Sequence, residues 1–135
     1  MTSKTLKAIF FDIDDTMFPT TALTAEARTN SVNAMLKAGL NLPFDMVWRE
    51  LAEVIEEFTS NFDGHFDKLL QRLPRNSYKN INPAVIIAAG ISAYHDVKIR
   101  KLHAYEDVIE VLKRLAATEL ILGIISAGLA IKQSE

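Results

Sequence analysis

The chain has 135 residues, of which 49% are apolar and 24% charged, a composition typical of one ordinary globular domain. Its 15 basic and 17 acidic residues give a formal charge of −2 without a basic stripe, so we expect no nucleic-acid partner. The absence of cysteine excludes a disulfide framework, a thiolate metal site and a cysteine nucleophile.

Apolar stretches in the sequence are short. The stretch AVIIAAGI is far below the about 18 residues that a membrane-spanning helix needs. The N-terminal region reaches acidic residues after only a brief apolar run, which makes a poor secretory signal. We therefore expect no membrane partner and a cytoplasmic location.

The first predicted element is a buried parallel strand. Its sequence, LKAIFFD (Leu6–Asp12), is apolar at consecutive positions, as in strands that are covered on both faces. Thr24 is then the predicted N-cap of a helix that runs to about Ala38 and is ended by Gly39.

Three further helices are predicted before residue 100. Helical spacing of apolar residues indicates one helix from near Asp45 and another in DGHFDKLLQRL, which Pro74 ends. Asn82 is the predicted cap of the next helix, which has Pro83 in its first turn and continues to about Ile99.

A fifth helix and a second strand complete the pattern. HAYEDVIEVLKRLAAT repeats apolar residues at helical spacing, and ELILGIIS is typical of another buried strand. Strand, helices and strand predict an α/β fold with four helices inserted between roughly Pro19 and Arg100. The expected domains are a partial α/β core of residues 1–18 and 101–135 and a helical domain of residues 19–100.

Carboxylates crowd the end of the first strand. FDIDDT contains Asp12, Asp14 and Asp15, and such charges repel by about 1 kcal/mol per pair at about 4 Å in water. Ligands of α/β sheets bind beyond the carboxyl ends of strands, and SAG follows the second strand in the same way. A hard cation such as Mg²⁺ would relieve the repulsion and requires few protein carboxylates.

These segments resemble motifs of the haloacid dehalogenase-like hydrolase superfamily. AIFFDIDDT is similar to its first motif, an apolar strand followed by Asp-x-Asp-x-Thr, and LILGIISAG is similar to its second. LHAYEDVIEVLKRL resembles the helix at which the chain re-enters the core after a helical cap. The resemblance implies a Rossmann-like parallel-sheet core, present here only in its N-terminal part, with a four-helix cap inserted after the first motif.

The resemblance also implies roles for individual residues. Asp12 would be the nucleophile that forms an aspartyl-phosphate, and Asp14 would act as general acid and then general base. The Asp12 carboxylate and the Asp14 backbone carbonyl would hold Mg²⁺. Thr16 would brace the loop, while Ser126 and the backbone amide of Ala127 would bind the phosphoryl oxygens.

The acid at position 14 favours phosphate chemistry within this superfamily. Members that displace halide lack an acid there, because halide leaves without a proton. The resemblance therefore implies a magnesium-dependent phosphatase that hydrolyses a small-molecule phosphate monoester, although a phosphomutase remains an alternative. It assigns no role to Asp15.

The superfamily pattern continues with a lysine and then an acidic pair. Lys132 follows Ser126 too closely to match that lysine, and the sequence reaches LAIKQSE without an acidic strand end. We therefore expect the chain to be a C-terminally truncated fragment and, by itself, inactive as a phosphatase. Its central strand would lack one partner, so we also expect self-association or completion by the remainder of the protein.

Two other interpretations stay open. The chain could be a catalytically inactive binding or regulatory module with the same fold, or an unrelated helical interaction protein whose first strand is similar by chance. The phosphatase interpretation makes a geometric prediction: Asp12 and Ser126 follow adjacent parallel strands and lie within about 10 Å of each other, given the roughly 4.8 Å spacing of neighbouring strands.

Overall fold

The computed structural model describes residues 4–128 and shows a mixed α/β chain, as the sequence predicts. Its elements follow one another in the order β1 (Ala8–Phe11), α1 (Thr20–Lys37), α2 (Phe44–Phe58), α3 (His65–Arg72), α4 (Pro83–Lys101), α5 (Glu106–Ala116) and β2 (Ile121–Ile124), with a short 3-10 helix at Arg75–Ser77 between α3 and α4. Within this range, no helix combines the length and the apolar character needed to cross a bilayer.

The two strands form a parallel pair. The register runs from Ala8 opposite Ile121 to Phe11 opposite Ile124, so both strands point toward the same edge. The parallel pairing confirms the prediction from the sequence. Both strands are shorter than predicted, with four residues each.

The chain divides into two compact units. One, which we call the helical unit, is Leu23–Lys101; the other, the α/β unit, consists of the residues up to Ala22 and from Leu102 onward. Helix α1 begins in the α/β unit and continues into the helical unit. The assignment of these units as a core and a cap stays a prediction.

The helical unit contains a continuous apolar core. Helix α3 packs against both α2 and α4, and the shared interior is built from the apolar stripes of the helices. The buried side chains of this core are Val32, Met35, Leu40, Val47, Leu51, Phe66, Leu69, Leu70, Leu73, Tyr78 and Ile86. Burial of each large aliphatic side chain contributes about 1.5–3 kcal/mol, so this core is the main source of stability in the described chain.

Gly39 ends α1 as predicted. Its φ of 112° is a conformation that residues other than glycine rarely adopt. This conformation allows two backbone hydrogen bonds that close the C-terminus of the helix. The Leu40 amide donates to the Met35 carbonyl over 3.1 Å, and the Gly39 amide donates to the Leu36 carbonyl over 3.1 Å. These two bonds satisfy carbonyls that the helix end would otherwise leave without donors.

The predicted start of α1 at Thr24 is wrong, whereas that of α4 is confirmed. Helix α1 begins four residues earlier, at Thr20, because the carboxylate of Asp15 caps its first turn. In α4, the side chain of Asn82 accepts a 3.0 Å hydrogen bond from the amide of Ala84, which is the expected N-cap arrangement.

The α/β unit differs from the helical unit in its burial. Helix α5 carries a predicted apolar stripe, yet none of its residues is buried, and Ile109 is 48% exposed. On the strands, Phe10 is 59% exposed and Ile124 is 60% exposed. A two-stranded sheet is marginally stable by itself, so this unit presents apolar surface with little covering it among the described residues.

Candidate active site at the carboxyl edge of the strands

The candidate residues lie at one edge of the two-stranded sheet. Asp12 directly follows β1, and Ser126 follows β2 after a single intervening residue, Ile125. The Ile125 amide donates a 2.9 Å hydrogen bond to the carbonyl of Phe11, which links the residues that precede the two candidates. The prediction that both polar strand ends lie at the same edge is therefore confirmed.

A tight turn follows Asp12. The carbonyl of Ile13 accepts hydrogen bonds from the amides of Thr16, Met17 and Phe18 over 3.2, 2.9 and 3.3 Å. The Thr16 hydroxyl donates to Asp12 Oδ2 over 3.2 Å, which matches the bracing role expected of Thr16. This bond restricts the rotation of the Asp12 carboxylate although that residue is exposed.

The same loop is tied to the start of α5. The Tyr105 amide donates a 3.0 Å hydrogen bond to the carbonyl of Met17, so the chain that returns from the helices is anchored beside the carboxylate loop. Asp14 and Phe18 form an isolated parallel bridge within the loop. The loop that carries the candidate acids is therefore held by backbone hydrogen bonds within its own turn and to the start of α5.

Asp15 is the residue whose role the sequence did not reveal. Its carboxylate Oδ1 accepts a 2.9 Å hydrogen bond from the Thr21 amide, and Oδ2 accepts one from the Thr21 hydroxyl. These bonds, the side-chain bond first, lower the pKa of the Asp15 carboxyl from its usual value. Asp15 therefore caps α1 from five residues before its start, and the pair of threonines after Pro19 is the signal that could have indicated it.

The second strand end is less constrained. Ser126 is partly buried, and its hydroxyl oxygen accepts a long 3.4 Å hydrogen bond from the Gly128 amide. Ala127, whose amide is the other predicted phosphate ligand, is exposed. Phosphate binding by these two residues stays a prediction, and Lys132 lies outside the described residues.

The donor set at this edge suits a hard cation. Asp12 and Asp14 are exposed and supply carboxylate and carbonyl oxygens, the ligands that Mg²⁺ prefers. Between residues 4 and 128, His, Cys, Asp and Glu side chains form no group of three or more that could hold a metal ion. Two such oxygen donors fit Mg²⁺ that keeps most of its ligands as water or substrate oxygen.

Comparison with known proteins finds similar phosphatases. No protein-family profile matches the chain. The chain is 42% identical over 132 residues to a protein of Methanopyrus kandleri named glyceraldehyde 3-phosphate phosphatase, covering 96% of this chain and 54% of that protein. Proteins with the same name from Pyrococcus furiosus and Methanocaldococcus jannaschii are 41% and 38% identical over 130 residues, each covering 96% of this chain and 52% and 55% of theirs. The chain thus spans about half the length of the curated relatives it matches.

Proposed function

We propose that this chain supplies the nucleophile and the general acid of a magnesium-dependent phosphatase of the haloacid dehalogenase-like superfamily. The observation that carries the proposal is the parallel pairing of β1 with β2, which brings the loop of Asp12 and the strand end before Ser126 to one edge. The similarity to proteins named as phosphatases supports a small phosphate monoester as substrate. Glyceraldehyde 3-phosphate, which that name specifies, is the first ester to test.

Asp12 begins the reaction. Its carboxylate oxygen attacks phosphorus, so that a new P–O bond to Asp12 forms while the P–O bond to the leaving alcohol breaks. Asp14 donates its proton to the leaving oxygen in the same step. The Thr16 hydroxyl, which holds Asp12 Oδ2, orients the attacking carboxylate. The first step therefore ends with an aspartyl-phosphate and a neutral alcohol.

Hydrolysis then regenerates the enzyme. Asp14, now ionised, takes a proton from a water molecule that attacks phosphorus, and Asp12 leaves as a free carboxylate with inorganic phosphate. The hydroxyl of Ser126 and the amide of Ala127 donate hydrogen bonds to the phosphoryl oxygens in both steps. The Asp12 carboxylate and the Asp14 carbonyl would hold Mg²⁺, whose charge offsets the repulsion between an anionic nucleophile and an anionic ester.

The proposal extends to the architecture. We assign the α/β unit as part of a Rossmann-like core and the helical unit as the cap domain inserted after the first motif. The exposed apolar residues of β1, β2 and α5 support completion of this core by further chain or by a second copy. The proposed binding partner is a small-molecule phosphate ester, and we propose no nucleic-acid or membrane partner. The proposed location is the cytoplasm.

The test is magnesium-dependent turnover in a completed protein. Residues 1–135 are joined to the part of the Methanopyrus kandleri relative that they do not match, and release of inorganic phosphate from glyceraldehyde 3-phosphate is measured. We expect turnover that requires Mg²⁺, is abolished by Asp12→Asn and is slowed in both steps by Asp14→Asn. Asp45→Asn, which alters an exposed acid at the start of α2, is the matched control and should leave turnover unchanged.

Two results would contradict the proposal. Full-rate turnover with Asp12→Asn would exclude Asp12 as nucleophile. If the fusion folds but shows no turnover, while the Methanopyrus kandleri relative is active in the same assay, the result would favour the alternative of an inactive binding or regulatory module. The fold of the fusion is established first, by its cooperative thermal transition, so that a lack of activity reflects the site.

A further inference from the structure

Both peptide groups that flank Asp14 are held by hydrogen bonds. On the N-terminal side, the Ile13 carbonyl accepts from three amides of the turn, the shortest bond being 2.9 Å from Met17. On the C-terminal side, the Asp15 amide donates to the Phe18 carbonyl over 2.9 Å and to Thr20 Oγ1 over 3.1 Å. The backbone of Asp14 therefore has little freedom to rotate.

The second of these restraints fixes the direction of the Asp14 carbonyl. A trans peptide group is planar, so its C=O and its N–H point in opposite directions. The Asp14 carbonyl and the Asp15 amide belong to one such group, and the described chain has no cis peptide bond. Holding the Asp15 N–H toward Phe18 and Thr20 consequently turns the Asp14 oxygen to the other side of the loop.

The arrangement requires an unusual backbone conformation at Asp15. Its φ of 55° lies in the left-handed region, which is unfavourable for residues other than glycine and is tolerated best by Asn and Asp. Such a conformation persists only where neighbouring contacts compensate for it. At Asp15 the compensating contacts come from its own carboxylate.

These contacts form a reciprocal set, which we call the Asp15 clasp: Asp15, Thr20 and Thr21. The Thr21 amide and hydroxyl donate to the carboxylate, and the Thr20 hydroxyl lies 3.5 Å from Oδ1 while its oxygen accepts from the Asp15 amide. A carboxylate at the N-terminus of α1 is also favoured by the helix dipole. The clasp thus couples the start of α1 to the peptide that carries the Asp14 carbonyl.

We propose that Asp15 is a positioning residue of the candidate active site, which with Thr20 and Thr21 holds the Asp14 carbonyl in the direction needed to bind Mg²⁺. The inference rests on the proposed function, because that function assigns the carbonyl to the metal. It assigns a structural role to Asp15, which in the proposed mechanism neither attacks phosphorus nor transfers a proton. Residues that orient metal ligands typically affect metal affinity by about 10- to 100-fold when they are removed.

The first arm of the test needs no metal. Amide hydrogen exchange is measured by NMR on the completed fusion described above, as the wild type, Thr20→Val and Thr29→Val. Thr20→Val removes one acceptor of the Asp15 amide, whereas the Thr29 hydroxyl donates to the Ala25 carbonyl within α1 and provides a matched control. We expect a protected Asp15 amide, exchange about 10-fold faster in Thr20→Val, and no change in Thr29→Val.

The second arm follows Mg²⁺ binding by the ¹⁵N shift of the backbone amide at position 15. Coordination of the Asp14 carbonyl polarises the shared peptide group, so that the shift responds directly to this ligand. We expect Thr20→Val and Asp15→Ala to need about 10-fold more Mg²⁺ for half of the shift, and Thr29→Val to need the wild-type concentration. Asp15→Asn, which tolerates the same φ and keeps one acceptor oxygen, should recover most of the affinity.

The outcomes separate the inference from the function on which it rests. A wild-type Asp15 amide that exchanges freely, or unchanged exchange and affinity in Thr20→Val, would overturn the clasp while phosphatase turnover could still be observed. A protected amide without a Mg²⁺-dependent shift in the wild type would overturn the assignment of the Asp14 carbonyl to the metal, and with it the proposed role of Asp15. Protection and affinity that fall together would support the proposal.

Discussion

Replacing Gly123 by alanine should weaken the pairing of β1 with β2. Gly123 lies opposite Phe10 in the register, and a Cβ at this position would lie 2.6 Å from both Cδ1 and Cε1 of the Phe10 ring. Carbon atoms in proteins do not approach so closely, so the ring must move. Because Phe10 is 59% exposed, the ring can turn toward solvent, and the backbone need not separate.

The size of the effect follows from that movement. Forcing a side chain away from its preferred rotamer costs about 0.5–1.5 kcal/mol. We therefore expect Gly123→Ala to destabilise the strand pair by about 1 kcal/mol, which corresponds to about fivefold faster amide exchange. The assay is hydrogen exchange at the amides of Ile121 and Ile125. These amides donate hydrogen bonds to the carbonyls of Lys7 and Phe11, respectively.

A double-mutant cycle tests whether contact with the Phe10 ring causes the loss of protection. In a Phe10→Ala background the added methyl group has space, so Gly123→Ala should change exchange at Ile121 and Ile125 by less than about twofold, consistent with coupling between residues in contact. Equal losses of protection with and without the Phe10 ring would show that the clash is not the cause. Unchanged protection in the single variant would refute the predicted contact altogether.

Three further predictions concern stability and association. Ile86→Ala, at a fully buried position of α4, should lower the free energy of unfolding, measured in urea, by about 2–5 kcal/mol. Val85→Ala, at an exposed neighbouring position, should change it by less than about 0.5 kcal/mol. Equal effects of the two substitutions would contradict the described core. Asn82→Ala removes the cap of α4 and should cost about 1 kcal/mol by thermal unfolding, and Asn82→Ser should restore most of it; a neutral Asn82→Ala would show that the cap is unimportant. The isolated chain should self-associate through the exposed apolar residues of the α/β unit, and Ile109→Glu should reduce its sedimentation coefficient; a monomeric wild type would count against this.

Local sequence signals predicted the elements that depend on local chemistry. Consecutive apolar residues indicated both strands, Gly39 supplied the positive φ that ends α1, and Asn82 supplied an acceptor two residues before the amide it caps. The adjacency of the Asp12 and Ser126 strand ends was also predictable, because parallel strands bring their carboxyl ends to one edge.

Other features depend on contacts that a local pattern does not contain. The start of α1 was misplaced at Thr24 because its cap, Asp15, lies five residues before the helix and acts through a left-handed backbone conformation. Ile109 belongs to an apolar stripe that predicts burial, yet burial depends on what packs against α5, which periodicity cannot specify. Helical periodicity likewise gave no sign of the 3-10 turn at Arg75–Ser77, which is too short to show a period.

Detection of phosphate on Asp12 tests directly whether this residue is the nucleophile. The completed fusion is mixed with Mg²⁺ and glyceraldehyde 3-phosphate, quenched in acid within milliseconds, treated with borohydride to reduce any acyl phosphate, and digested for mass spectrometry. We expect conversion of Asp12 to homoserine in the wild type and, after a longer incubation, in Asp14→Asn, and no conversion without substrate. Turnover without this modification, or modification of Asp14 or Asp15 in place of Asp12, would contradict it.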